Sequence, residues 1–330
     1  MIVEVEGLRK EFGNLVAVDG VSFSIGEGEV FGLLGPNGAG KTTTLHMLAT
    51  LLKPSGGTAR INGFDVLKQP AKVRKSIGMV FQEPSSDDLL TGYENLKLHA
   101  LLYGVPANVR KKRIEEVLNL VGLWDRRGDL VKHYSGGMRR RLEIARGLLH
   151  SPKVLFLDEP TLGLDVQTRT AVWDYIKKLK AEYNMTLFMT THYLEEADAM
   201  CDRIAIIDQG KILKMGTPKE LKDSLGGDVI EIAVKEDSED LSSILSKVSL
   251  VKEVKKEDHT YRIMAELGEE AAPEIIEAVR DKGLHISRIS VTKPTLDEVY
   301  LAITGRRIRD EQANWEDTMS TRMTMSRARR

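Results

Sequence analysis

The chain has one cysteine, Cys201, in 330 residues. That excludes an intramolecular disulfide and suits a reducing compartment. No apolar run approaches the roughly 20 residues that a membrane-crossing helix needs. The chain is therefore not expected to form a transmembrane path itself. Excess charge of one sign is missing too. There are 48 Lys and Arg against 49 Asp and Glu, a net charge of −1, so bulk electrostatics gives no case for nucleic-acid binding. The opening Met1-Ile2-Val3-Glu4-Val5-Glu6 lacks the basic start and apolar stretch of a secretory signal, and none is expected. What remains is a long, near-neutral chain with enough residues for a large core and a second domain.

Against those absences stands Gly35-Pro36-Asn37-Gly38-Ala39-Gly40-Lys41-Thr42, a Gly-x-x-x-x-Gly-Lys-Thr sequence. An apolar run, Val30-Phe31-Gly32-Leu33-Leu34, precedes it and reads as a buried strand. Thr42 to Leu48 follows with a helical pattern. Strand, glycine loop and helix in that order make a phosphate loop. The glycines let backbone N–H groups turn inward, and the helix adds its positive end. Lys41 is expected to reach the β and γ phosphates, and the Thr42 hydroxyl to ligate Mg²⁺.

A second apolar run, Val154-Leu155-Phe156-Leu157, ends in Asp158-Glu159. Ligands bind beyond the carboxyl ends of such strands. Asp158 is placed to hold Mg²⁺ as the acidic partner of the phosphate loop. Glu159, one residue on, can turn toward an attacking water. Between these motifs lies Tyr134-Ser135-Gly136-Gly137-Met138, which opens a helical pattern running to Leu149. Ser135 suits a helix N-cap, and a helix start also aims N–H groups at an anion.

In this order the motifs resemble the ATPase subunit of an ABC transporter, over residues 1 to about 220. Ser135-Gly136-Gly137 is similar to the core of the family signature, Leu-Ser-Gly-Gly-Gln, with Tyr134 and Met138 departing at its first and fifth positions. Gln82, in Met79-Val80-Phe81-Gln82, resembles the Q-loop. Leu162-Gly163-Leu164-Asp165 resembles the D-loop, with Asp165 as its acid. His192, in Met189-Thr190-Thr191-His192, resembles the switch histidine. Taken singly, Gln82 and His192 would read as an ordinary polar residue and a structural histidine; the ordered set gives them meaning.

The resemblance implies ATP as substrate and Mg²⁺ as cofactor. It implies nucleotide contacts at Phe12, Gly35, Pro36, Asn37, Gly38, Ala39, Gly40, Lys41, Thr42 and Thr43. Phe12 stands where the family stacks an aromatic on adenine, and a core phenylalanine is the competing reading. Thr42, Gln82 and Asp158 would hold the metal. Glu159 would be the general base, with His192 and Gln82 aligning the reaction. Ser135, Gly136 and Gly137 would act in trans, on ATP held by a second subunit of a homodimer. A separate multi-span membrane permease is implied, with the ATPase subunits at the cytoplasmic face of the membrane.

The expected fold is α/β: a P-loop ABC ATPase cassette over 1–225. Alternation over residues 2–24 suggests antiparallel strands beside the nucleotide site. Helical patterns suggest a helical subdomain at about 86–150. Short apolar strands at 153–158, 186–190 and 203–207 alternate with helices, which implies a largely parallel, covered sheet. Arg139-Arg140-Arg141 is expected to be a solvated helix face, the alternative being a brace for acidic groups near the partner subunit.

The chain changes character near Gly226-Gly227. Over 228–305, strands at Val229–Val234, Tyr261–Ala265 and Ile286–Val291 and helices at Leu241–Val248 and Ala271–Lys282 suggest a small ferredoxin-like α+β domain. No His/Cys cluster or glycine-rich loop occurs there, so a structural or regulatory role is expected. An apolar seam of Tyr300, Leu301 and Ile303 is expected to anchor its last helix. Pro294 to Gly305 and Leu89 to Leu96 resemble ATPase subunits of daunorubicin-resistance type exporters. The tail, 306–330, is expected to be disordered.

The leading expectation is an ATP-hydrolysing subunit energising a membrane exporter of drug, lipid or polysaccharide type cargo. The alternative is a soluble ABC ATPase acting on nucleic acid or ribosomes. The compact stretch from Lys41 to Ser135 leaves no room for the coiled coil of DNA-repair relatives, and the chain holds one cassette where translation factors usually hold two. A phosphate-loop kinase or GTPase would leave Ser135-Gly136-Gly137, Asp165 and His192 without a role.

Overall fold

The computed structural model describes residues 1–235, 240–258 and 260–306. They fall into two compact units, one over residues 1–218 and one over the described residues from 219 to 306. The expected disordered tail lies outside the described residues, apart from Arg306.

The first unit opens with β1 (Val3–Phe12) and β2 (Leu15–Ile25), an antiparallel pair. Next come β3 (Val30–Leu34), α1 (Lys41–Leu48), β4 (Gly56–Ile61), β5 (Phe64–Asp65), α2 (Pro70–Ser76) and β6 (Ile77–Val80). Three helices follow: α3 (Gly92–Leu102), α4 (Ala107–Leu120) and α5 (Gly136–Leu148). The unit closes with β7 (Val154–Asp158), α6 (Val166–Tyr183), β8 (Thr186–Thr191), α7 (Leu194–Met200), β9 (Arg203–Asp208) and β10 (Lys211–Gly216).

Two sheets result. One is antiparallel, in the order β2-β1-β4-β5. The other runs β10-β9-β3-β8-β7-β6, parallel except for β10. Every residue of β3, β7 and β8 is buried. The apolar runs of β3 and β7, Val30–Leu34 and Val154–Leu157, follow from being covered on both faces. Phe23 of the first sheet stacks on Phe31 of the second at 5.0 Å and on Phe188 at 5.6 Å, joining the layers. Because β3, β8 and β7 are adjacent and parallel, the segments that leave their carboxyl ends gather along one edge. That edge carries the phosphate loop, His192 and Asp158-Glu159.

The α3 start is held by a reciprocal box, in which Thr91 Oγ1 accepts from the Glu94 amide and Glu94 accepts from the Thr91 amide. Arg113 of α4 donates to the Leu148 and Leu149 carbonyls, closing the end of α5.

The second unit comprises most of α8 (Pro218–Asp223), then β11 (Asp228–Val234), α9 (Leu241–Leu245), β12 (Val251–Glu257), β13 (Thr260–Ala265), α10 (Gly268–Asp281), β14 (Ile286–Thr292) and α11 (Leu296–Thr304). Its sheet, ordered β12-β13-β11-β14, is antiparallel throughout. This is the ferredoxin-like β-α-β-β-α-β arrangement. Ile230, Ile232, Tyr261 and Ile263 pack against Leu241 and Leu245 of α9 and Ile275 and Val279 of α10.

Three details differ from the sequence reading. The β12 strand has no counterpart among the strands read there, because Val251-Lys252-Glu253-Val254-Lys255-Lys256-Glu257 is dominated by charge. It is an edge strand, where charge discourages pairing with other chains. The buried seam of α11 is Leu296, Val299 and Tyr300, with i, i+3, i+4 spacing, while Leu301 and Ile303 are only partly covered. The units divide at Pro218/Lys219, where the sequence reading put the change of character near Gly226, and Leu225 shares a cavity with Val229, Ile263 and Leu301.

Candidate nucleotide site

The loop 35–40 leaves β3 and enters α1. Two of its glycines are enforced by close approach. A Cβ at Gly35 would lie 2.1 Å from the Ile207 carbonyl oxygen, and one at Gly40 would lie 2.5 Å from that of Ala17. Gly40 also has φ 101°, a left-handed value that side chains disfavour. Gly40 caps α1 without a side chain, so the first-turn N–H groups are left for an anion.

Lys41 begins α1 and is buried. Its Nζ donates to the carbonyls of Gly35 at 2.8 Å and Pro36 at 2.9 Å, and lies 3.3 Å from Glu159 Oε1. Burial lowers the Lys41 pKa, and the Glu159 charge opposes that shift. The lysine is thus held over its own loop by fixed partners.

At the end of β7, Asp158 Oδ1 accepts from Thr42 Oγ1 at 3.0 Å and from Thr190 Oγ1 at 2.6 Å. Glu159 follows with φ 43°, an uncommon backbone conformation for a residue with a side chain. Such geometry costs on the order of 1–3 kcal/mol and persists only when surroundings enforce it. Here the Glu159 amide is held by Thr190 Oγ1 at 3.0 Å. The turn aims Glu159 Oε2 to within 3.1 Å of His192 Nδ1. Burial pushes the Glu159 carboxyl up, but the His192 hydrogen bond and the Lys41 charge outweigh it, leaving a net downward shift. Glu159 is therefore a carboxylate, and a carboxylate only accepts, so His192 Nδ1 carries the proton.

The structure thus brings Lys41, Thr42, Asp158, Glu159 and His192 together. Asn37 and Gly38 lie exposed at the loop tip, Pro36 and Ala39 are buried, and Thr43 is half-buried in the first turn of α1. Gln82 is exposed just beyond β6 and joins none of these hydrogen bonds among the described residues. Phe12, at the end of β1, is 48% exposed, with Lys10 Nζ 4.9 Å from its ring centre. That exposure removes the core reading of Phe12.

A second group forms at the starts of α5 and α6. Ser135 caps α5, its Oγ accepting from the Met138 amide at 3.3 Å. Ser135 and Gly136 are exposed. Gly137 is buried, and a Cβ there would meet Thr168 Cγ2 at 2.5 Å. Asp165 caps α6 by accepting from the Thr168 amide at 3.0 Å and hydroxyl at 2.7 Å. Those two bonds hold its carboxyl below the usual range. The signature segment and Asp165 therefore share Thr168.

Sequence reasoning missed four supporting residues. Arg140 is buried, contrary to the expected solvated face. Its guanidinium donates to the carbonyls of Phe81, Asp158, Glu159 and Pro160. It ties α5 to the residue before Gln82 and to the strand end bearing both carboxylates. Burial lowers its pKa to about 10, so it remains charged near neutrality. The available signal was helical spacing: Gly137, Arg140, Ile144 and Leu148 form one buried stripe. Tyr134 is buried with its hydroxyl donating to the Arg126 carbonyl at 2.8 Å. It fits because position 92 is glycine; a Cβ there would stand 2.3 Å from Tyr134 Oη. Thr190 and Glu196, the other two, are buried in β8 and α7.

The residues fit a nucleotide and Mg²⁺. The loop admits no side chains at its two tightest points and presents uncapped helix amides. Thr42 and Asp158 bring hard oxygen atoms together, as Mg²⁺ requires. Among the described residues no group of three or more His, Cys, Asp or Glu forms a metal cage. Among the described residues, too, no helix is long and apolar enough to cross a membrane.

Comparison with known proteins follows the same division. Residues 18–162 match the family model described as ABC transporter, and residues 216–304 match that of the C-terminal domain of DrrA1-3-like ATP-binding proteins. The chain is 40% identical over 315 residues to the daunorubicin resistance ATP-binding protein DrrA2 of Streptomyces coeruleorubidus, covering 94% of this chain and 97% of that one. It is 37% identical to the linearmycin resistance ATP-binding protein LnrL of Bacillus subtilis, covering 94% of this chain and 100% of the other. A dimeric ATP-binding cassette solved in a post-hydrolysis state with ADP and Pi superposes with a TM-score of 0.59 at 29% identity, covering 65% of this chain and 98% of that one.

Proposed function

This chain belongs to the ABC transporter ATP-binding family, and from that premise we propose how its residues divide the work. It is an ATP-binding and ATP-hydrolysing subunit that energises a membrane exporter. The observation that carries the site reading is the meeting of Lys41, Thr42, Asp158, Glu159 and His192 at the ends of three adjacent strands.

Loop 35–40 and the first turn of α1 cradle the phosphates, with Lys41 reaching the β and γ groups. Phe12 stacks on the adenine. Thr42 and Asp158 hold Mg²⁺, with Gln82 as a further contact, and the metal when bound neutralises charge on the phosphate oxygens. Glu159 takes the proton of the attacking water. Its downward-shifted carboxyl is ready to accept at neutral pH. His192, held by Glu159, aligns the γ-phosphate end of the site.

Ser135, Gly136 and Gly137 act on ATP held by a second copy of this chain, with Asp165 beside them. The exposure of Ser135, Gly136 and Asp165 supports this, as does the dimeric state of the solved relative with ADP and Pi. The membrane path belongs to a separate multi-span permease, and this chain docks on it at the cytoplasmic face of the membrane. A cleft of about 100 Å³ is lined by Phe81, the residue before Gln82, with Ser85, Tyr103, Glu143 and Arg146. Leu98, Leu101 and Leu102 are exposed on neighbouring α3. An apolar patch of this kind suits a segment of the permease. The relatives named for daunorubicin and linearmycin resistance support a drug-type cargo. Residues 228–305 serve assembly, because no catalytic group of the site lies in them. The test is Glu159→Gln, which is expected to bind ATP and accumulate as an ATP-bound dimer while turnover falls.

A further inference from the structure

We propose that Glu196 is a positioning residue that fixes the switch histidine to the catalytic carboxylate from behind. This rests on the site reading above. Glu196 lies in α7, four residues past His192, and is fully buried. A carboxylate in such a place needs donors, and three converge on it. Thr191 Oγ1 donates to Glu196 Oε2 at 2.5 Å, while Thr161 Oγ1 at 2.9 Å and Trp173 Nε1 at 3.0 Å donate to Oε1. Thr191 Oγ1 also accepts from the Tyr193 amide at 3.0 Å.

The geometry follows from strand alternation. Thr190 and His192 face the site: Thr190 Oγ1 binds Asp158 and the Glu159 amide, and His192 reaches Glu159. Thr191, between them, faces the opposite way, onto Glu196. The end of β8 is therefore gripped on both faces. Thr161 stands two residues after Glu159 and four before Asp165. One carboxylate thus joins the segment that carries the base to the segment that carries His192. Arg169 of α6 adds a further brace by lying 4.0 Å from the Tyr193 ring centre.

The consequence is specific. Losing Glu196 breaks no hydrogen bond of Lys41, and its one link toward loop 35–40 runs through the Thr191 backbone, whose carbonyl accepts from the Gly35 amide at 3.2 Å. It frees the 3.1 Å contact between Glu159 and His192 to widen. Misplacement of reacting groups by about an ångström costs on the order of 10²-fold in rate. A glutamine at 196 keeps the shape but turns one acceptor toward Thr191 into a donor.

The experiment compares full-length Glu196→Gln, Thr191→Val, Thr191→Ser, Thr161→Val and Thr161→Ser with wild type and Glu159→Gln, measuring kcat, KM for ATP and Tm. Glu196→Gln is expected to lose about 10–10²-fold in kcat with KM nearly unchanged. Each valine variant is expected to lose turnover, and each serine variant, which keeps the hydroxyl, to recover it. A Glu196→Gln enzyme with wild-type kcat, or a loss confined to Tm, overturns the proposal. So do serine variants no better than valine. If Glu196→Gln does not fold, the Thr191 and Thr161 pairs decide by the same criterion. Failure of the underlying site reading shows separately, as a Glu159→Gln enzyme that still turns over normally.

Discussion

The two halves of the proposed ATP site are built differently. Lys41, Asp158, Glu159 and His192 are buried, and each is held by hydrogen bonds from neighbouring segments of its own unit. Ser135, Gly136 and Asp165 are exposed, and the side chains of Ser135 and Asp165 bind only the starts of their own helices among the described bonds. The first half is set before any partner arrives. The second presents capped helix starts outward and completes nothing in its own subunit. On the proposed trans arrangement, a chain with this asymmetry supplies half of two sites.

The strongest break in that comparison is at the prearranged half. Glu159→Gln is expected to lower ATP turnover by about 10²–10⁴-fold, the range for a positioned base, with ATP binding retained. Equilibrium binding beside steady-state hydrolysis checks it. Turnover near wild type would remove Glu159 from the base role.

Arg140 links the halves, since it sits on the signature helix and grips the carbonyls of 81 and 158–160. Arg140→Lys keeps the charge but loses the planar fork that reaches several acceptors. Each buried carbonyl left unsatisfied costs about 1–3 kcal/mol. Thermal unfolding is expected to show a lower Tm, and hydrolysis a lower kcat. An unchanged Tm would mean the four carbonyls find other donors.

A smaller effect is expected at the entrance to the exposed half. Gly92→Ala places a methyl against Tyr134 Oη, and overpacking of this kind costs about 1–3 kcal/mol. Adding Tyr134→Phe removes the oxygen and is expected to recover part of that loss. Denaturant unfolding of the two single variants and the double variant measures the coupling. Strict additivity would show that the contact does not limit the residue at 92.

Much of the prearranged half was legible from sequence because its groups follow strands and glycine turns in chain order. The run Val30–Leu34, the loop and Lys41 need no distant partner to be recognised. The covered, largely parallel sheet and the ferredoxin-like unit were legible from the same alternation of apolar periods. Arg140 was not, because three consecutive arginines look alike until helical phase assigns one of them to the buried stripe. Glu196 was hidden for a different reason: its donors come from positions 161, 173 and 191, brought together only by the packing of α6 and α7. Gly92 and Tyr134 form a fit 42 positions apart that neither residue announces. The β12 strand escaped because an edge strand has little apolar pattern to show.

The central claim is that each working site takes Lys41 from one subunit and Ser135 from the other. It is tested by mixing a Lys41→Ala subunit with a Ser135→Arg subunit, each inactive alone, and measuring hydrolysis in purified mixed dimers. In such dimers both defects fall on one composite site and leave the other intact, so the account predicts that ATP hydrolysis reappears. Mixed dimers as inactive as either parent would contradict it.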